Sequence, residues 1–151
     1  MDAGIYAAPS SYLGRYVQIG VAGDRVISVS FPKEPDGDAE SESPVLERVQ
    51  AYLEGVEDDF ADVRIGLTVP TDQRAVLEAV RSVGYGEQVT VEALARMTPG
   101  LDPDDEADLD LVRSALAENP LPLLVPDHRV RDGPSAAPPD VEQKLRSLEG
   151  L

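Results

Sequence analysis

The hydrophobic pattern of this chain changes period at Pro70. Upstream, residues 12–22 (YLGRYVQIGVA) and 25–31 (RVISVSF) alternate apolar side chains with polar or small ones, the two-residue period of strands with one buried face. Gly23-Asp24 between them is a hairpin turn signal. Downstream, Val76, Leu77, Val80 and Val83 recur at the three- and four-residue spacing of a helix, with Thr71 or Asp72 placed to cap it. Strands gathered at one end and helices at the other imply an α+β architecture rather than an alternating parallel sheet. The expected organisation is a small strand-rich N-terminal domain over residues 1–68 and a helical domain over 69–151.

Finer punctuation fills in both halves. Residues 33–44 (KEPDGDAESESP) are acidic and rich in Pro, Gly and Ser, hence a solvated loop. A helix is expected over 45–53, with Val45, Val49, Tyr52 and Leu53 on one face, and a third strand over 63–69 to complete the sheet. In the second half Thr90 caps a short helix over 91–97. A turn over 98–103 leads to a longer helix over 104–118, striped by Leu109, Val112, Ala115 and Leu116. Short helix, turn, longer helix is the helix-turn-helix arrangement, whose second helix enters a DNA groove in many proteins; two core helices joined by a turn have the same pattern.

Composition removes several kinds of chemistry. None of the 151 residues is cysteine, which excludes disulfides, thiolate metal sites and a thiol nucleophile. One histidine makes an ordinary zinc site improbable, and no metal or cofactor is expected. The 29 acids against 13 bases leave a formal charge of −16, spread along a chain that is still 42% hydrophobic. That balance suits a folded protein of a salt-saturated cytoplasm, where a Debye length of about 3 Å at molar salt screens self-repulsion. There is no apolar run of membrane-spanning length and no basic segment near Met1 typical of a secretion signal, so a cytoplasmic location without membrane attachment is expected.

The only histidine lies in Asn119-Pro120-Leu-Pro-Leu-Leu-Val-Pro126-Asp127-His128-Arg129-Val130. Together with Gln73, Tyr85-Gly86-Glu87-x-Val89, Leu94-Ala95 and Glu149, this segment resembles, in order and spacing, the 6-O-alkylguanine-DNA alkyltransferases. The resemblance runs from about Val69 to the end of the chain. It implies an RNase H-like N-terminal domain and a winged-helix-like domain carrying the helix-turn-helix.

In that family a thiolate takes an alkyl group from a guanine flipped out of the duplex; a histidine activates it through a water, and a glutamate orients the histidine. Carried across, His128 matches the relay histidine, Glu149 the orienting acid and Asn119 the supporting asparagine. Asp127 stands where the acceptor cysteine would be. Arg96, Arg113, Ser114 and Arg129 are the candidates for contact with double-stranded DNA.

The departures are as specific as the matches. Val91 stands at the guanine-contacting tyrosine, and Asp110 at the arginine that pries into the duplex. The loop over residues 133–140 lacks the tyrosine and glycine pair that would wall the base pocket. The turn and second helix carry Asp102, Asp104, Asp105, Glu106, Asp108, Asp110 and Glu118 against Arg113 alone, although phosphate contacts need cations.

Three readings follow. The first is a non-catalytic alkyltransferase-like protein that binds plain or alkylated DNA as a monomer. The second is a scaffold that binds a protein partner without touching DNA. The third is methyl transfer to Asp127, followed by hydrolysis of the ester. A purely structural role for Asp127-His128-Arg129 pairs Asp127 with His128 or Arg129 in a charged knot.

If the acidic composition is an adaptation to salt, the urea midpoint of unfolding rises as KCl is raised to molar concentrations. A flat or falling profile removes that interpretation.

Overall fold

The computed structural model describes residues 2–151. Strands β1 (Gly4–Ser10), β2 (Arg15–Ala22) and β3 (Arg25–Ser30) form one antiparallel sheet in the order β1-β2-β3. Along β2, Val17, Ile19 and Val21 are buried while their neighbours are not, so one face covers the core. Gly23 and Asp24 both take positive φ, 53° and 62°, the two left-handed residues that a tight turn matched to strand twist requires.

The sheet differs from the expected one at both edges. β1 is a strand that its Ala- and Pro-containing sequence does not announce, and Pro9 is tolerated because β1 is an edge strand. Residues 63–69, expected as the third strand, reach the opposite edge at a single parallel bridge between Val26 and Ile65. Val26 donates to the Arg64 carbonyl at 3.0 Å and Gly66 donates to the Val26 carbonyl at 2.9 Å; ladder pairing stops there. Gly66 lies close against Ile27 in place of a packed side chain, and Pro70 ends the segment.

Five helices follow: α1 (Pro44–Leu53), α2 (Thr71–Arg81), α3 (Val91–Met97), α4 (Glu106–Ala117) and α5 (Pro139–Glu149). Ser43 caps α1, and Leu46 rather than Val45 completes its buried face with Val49, Tyr52 and Leu53. Pro70, not Thr71 or Asp72, is the N-cap of α2, with no side-chain cap; Asp72 instead accepts from Gln73 N at 2.8 Å, inside the first turn. Thr90 caps α3 as expected, accepting from Ala93 N at 3.0 Å. Asp105 caps α4, accepting from Ala107 N at 2.8 Å. α3 and α4 with the turn between them are the helix-turn-helix.

The molecule is α+β, and its apolar core is continuous. One buried cluster runs from Tyr6 and Ile19 of the sheet through Val76, Leu77 and Val80 of α2 to Val112, Leu116 and Leu145, across the boundary expected near residue 68. α2 packs against both α3 and α4, and the outer edge of β3 is tied to the second half where Val29 donates to the Pro120 carbonyl at 2.9 Å. Among the described residues no helix is long and apolar enough to cross a membrane.

Leu77 is fully buried at the centre of this cluster. Leu77→Ala is therefore expected to cost about 2–5 kcal/mol. Urea unfolding in molar KCl should show the loss in one transition shared by probes of both halves, because the core is shared.

Candidate nucleic-acid interface and the buried ionic site

Every residue from Leu121 to Val130 is buried, so the segment with the histidine is interior structure. Asn119 organises its entry. Its Oδ1 accepts from Leu121 N at 2.9 Å, and its Nδ2 donates to the Val125 carbonyl at 3.0 Å and to Asp127 Oδ2 at 3.1 Å. Leu123 holds a φ of 83° inside this turn, a conformation that costs a branched side chain energy and is kept by the bonds around it. A 3-10 turn, Asp127–Arg129, follows and is pinned to the entrance of α3: Val89 N donates to the Arg129 carbonyl at 2.8 Å and Arg131 N to the Val89 carbonyl at 2.9 Å.

The 3-10 turn sends its successive side chains to different places. His128 Nε2 lies 2.7 Å from Glu149 Oε2. Arg129 meets the same carboxylate with two nitrogens, Nε to Oε1 at 2.8 Å and Nη2 to Oε2 at 3.1 Å, while its Nη1 donates to the Val83 carbonyl at 2.8 Å. Gly86 N donates to Glu149 Oε1 at 3.0 Å, and the Tyr52 hydroxyl donates to Oε2. Burial by itself would raise the Glu149 pKa, but the hydrogen bonds from His128 and Arg129 and the charge of the histidine outweigh it and hold the carboxyl well below the usual range. The Tyr52 hydroxyl is pushed up, first by burial and then by the Glu149 charge.

Asp127 belongs to a separate set of bonds, which corrects the expectation that it pairs with His128 or Arg129. Its Oδ2 accepts from Asn119 Nδ2 at 3.1 Å and Ala136 N at 2.9 Å, and its Oδ1 accepts from the Ser135 hydroxyl at 2.5 Å. Both neighbours are drawn to Glu149 because α5 places that acid on their side. Asp127 is 1% exposed; burial raises its pKa, and the bonds from Ser135, Ala136 and Asn119 offset only part of that rise. Both carboxylate oxygens are thus occupied and turned away from solvent. The Nδ1 of His128 is buried and has no protein hydrogen-bond partner among the described residues.

The loop over residues 131–138 closes over this site. A Cβ on Gly133 would meet Leu116 at 2.8 Å, Val91 at 3.1 Å and Val130 at 3.2 Å, so the loop backbone lies directly on the start of α3. Asp132 Oδ1 accepts from Val91 N at 2.7 Å and fastens it there.

The other candidate residues are scattered. Arg129 is 2% exposed and faces Glu149 rather than solvent. Arg113 is on the surface of α4, where its guanidinium meets Glu106 at 3.1 Å and Asp110 at 2.8 Å. Arg96 on α3 pairs with Glu92 at 3.1 Å, and Ser114 is exposed. Sequence reasoning missed Tyr52, Ser135 and Arg146, whose Nη1 donates to the His128 carbonyl at 2.7 Å. It also missed α5, although Pro139 at its start, Val141 and Leu145 at helical spacing and Gly150 just beyond its end are ordinary helix signals. Glu149 occupies the next apolar register of that stripe, and a carboxylate there was the readable sign of a buried partner.

With this geometry in view, similarity to known proteins is specific. Residues 71–149 match the family model for the DNA binding domain of 6-O-methylguanine DNA methyltransferase. A DNA base-flipping protein of Thermus thermophilus is 39% identical over 101 residues, 66% of this chain and 64% of that protein. A methylated-DNA–protein-cysteine methyltransferase of Metallosphaera sedula is 32% identical over 110 residues, 70% of this chain and 66% of that protein. The chain thus spans just under two thirds of the length of these relatives. The fold is similar to the crystal structure of Mycobacterium tuberculosis OGT in complex with DNA, with a TM-score of 0.66 at 21% identity over 85% of this chain and 78% of that one.

Glu149→Gln leaves Arg129 buried without its counter-charge and is expected to cost about 3–5 kcal/mol at neutral pH. Because the folded-state pKa of Glu149 is lowered, its contribution stands above the ordinary value of 4.5 and is lost as pH falls toward the folded value. Asp127 has the opposite sign: its raised pKa favours the folded state when it is protonated, and that preference fades as pH rises through its folded value. Urea titrations should show the gap between wild type and Glu149→Gln wide at pH 7 and narrower below pH 4.5, and a constant gap contradicts the assignment.

Proposed function

The chain belongs to the 6-O-methylguanine DNA methyltransferase family, whose DNA-binding-domain model spans more than half of it, and on that premise we propose that it contacts duplex DNA through α3 and α4 without accepting an alkyl group. The observation that carries this reading is the state of Asp127 at the acceptor position. A displacement at a methyl carbon needs an exposed lone pair aimed at it, and both oxygens of Asp127 are engaged inside the fold by Asn119, Ser135 and Ala136. His128, Glu149 and Asn119 then serve as the frame of an inherited site. Val91, under the Asp132–Gly133 loop, has no group to protonate a departing guanine.

DNA contact is supported by the family assignment, by the name of the Thermus relative and by the DNA in the Mycobacterium complex. The surface groups available are Arg113, Ser114 and Arg96; Arg129 acts from the interior by fixing the 3-10 turn. Binding requires Arg113 to exchange Glu106 and Asp110 for phosphate. Molar salt weakens exposed ion pairs and phosphate contacts alike, so affinity is modest.

A second reading, a partner-binding scaffold without DNA contact, is favoured by that same clamp on Arg113 and by the acids of α4 and its preceding turn.

Fluorescence anisotropy in molar KCl separates the two. Saturable binding of a duplex, with or without one 6-O-methylguanine, that is weakened by Arg113→Glu supports DNA contact. No binding by a protein that is folded by circular dichroism leaves the scaffold. Intact-mass measurement after incubation with the methylated duplex is expected to show unmodified protein and a methyl group still on the DNA; a methyl adduct on Asp127, or methyl lost from the DNA, would falsify the non-accepting assignment.

A further inference from the structure

The basic residues are unevenly distributed. Four of the 13, Arg25, Arg64, Arg74 and Arg81, line one concavity of about 540 Å³ between β3, residues 63–68 and α2. Its lining includes one acid, Glu78, in a chain that carries 29. The groove is distinct from the helix-turn-helix and from the Glu149 site.

The way these arginines are held also matters. Arg15, Arg48, Arg96, Arg113 and Arg129 each meet a carboxylate, whereas Arg146, outside the groove, is held by the His128 carbonyl and Gln88. In the groove only Arg64 meets a carboxylate, that of Asp24 at 2.6 Å. Arg25 donates to the Ile65 carbonyl at 3.0 Å, and Arg74 to the Leu67 carbonyl at 2.7 Å. Arg81 donates to the carbonyls of Phe60 at 2.7 Å and Val63 at 3.1 Å. Neutral carbonyls orient a guanidinium without cancelling its charge, and although Asp59 and Asp62 act on Arg81 through space, they are not in its hydrogen-bonding contacts. A guanidinium has five N–H donors, so each retains donors for a further acceptor.

We propose that this groove binds a small oligophosphate anion, free or carried by a nucleotide. The volume lies in the range of small-ligand sites. Guanidinium forks match phosphate oxygens two at a time, and several forks converge here. At molar salt, attraction beyond about 3 Å is screened, so a monovalent anion gains nothing over chloride. An anion with several charges in direct contact with Arg25, Arg74 and Arg81 keeps its advantage.

Isothermal titration in molar KCl with tripolyphosphate, and separately with ATP, tests the assignment. One-to-one binding is expected, weakened roughly tenfold or more in the double variant Arg25→Gln, Arg74→Gln, since these two exposed side chains provide the bidentate contacts. The control Arg96→Gln, outside the groove, is expected to bind as wild type. Equal affinity for the two probes assigns recognition to phosphates alone, and tighter ATP assigns it to a nucleotide. The proposal is overturned by absence of binding at millimolar probe, by a folded double variant that binds as wild type, or by equal weakening in the Arg96 control. Displacement of tripolyphosphate from the groove by a duplex oligonucleotide assigns the arginines to a DNA backbone and also overturns it.

Discussion

The carboxylate of Glu149 is the point through which distant parts of the chain are held together. It receives a hydroxyl from α1, a backbone N–H from the turn after α2, and His128 and Arg129 from the 3-10 turn, while it stands itself on the last turn of α5. Such a group is costly to bury alone and tolerable only when its lone pairs are met. Arg129 matches its charge, and Tyr52 and Gly86 satisfy what the cation does not reach. Arg129 is in turn completed by the Val83 carbonyl and lies 5.9 Å from the Tyr85 ring centroid. Geometry over four segments is therefore specified by one acid, in a way that apolar packing, which is indifferent to direction, does not provide.

Two neighbouring carboxylates are treated in opposite ways. Glu149 lies against the Arg129 guanidinium, with hydrogen bonds that hold its pKa down. Asp127 is surrounded by neutral donors, Asn119, Ser135 and the Ala136 amide, in a buried pocket that favours its proton. The polypeptide step from Asp127 to His128 separates these environments. This division keeps Asp127 out of the ionic network that joins the histidine and arginine to the glutamate.

Much of the fold was legible because its cues are local. The change of period at Pro70, the Gly23-Asp24 turn and the Thr90 cap each depend on a few adjacent residues, and each stands in the structure. β1 was not legible because its pairing partner, β2, supplies the pattern that its own sequence lacks. Residues 63–69 have the composition of a strand, and Gly66 with Pro70 decides against one. At the site, motif spacing singled out candidate residues but not which pair with which. Asp127, His128 and Arg129 are adjacent in sequence, and only the position of α5 determines that two of them turn toward Glu149 and one away. The arginine groove was invisible for the same reason: its members are separated by up to 56 positions and share no motif.

The separation of Tyr52 and Glu149 by 97 residues bears on the order in which the molecule assembles. α1 can form early from local contacts, but until α5 docks, its tyrosine hydroxyl and the Gly86 amide have no anion to meet, and Arg129 has none to neutralise it. Closing so long a loop costs entropy that is returned only when those bonds form together. The interior around the 3-10 turn is therefore complete only with α5 in place, because the carboxylate that its tyrosine, amide and guanidinium require is carried on that helix.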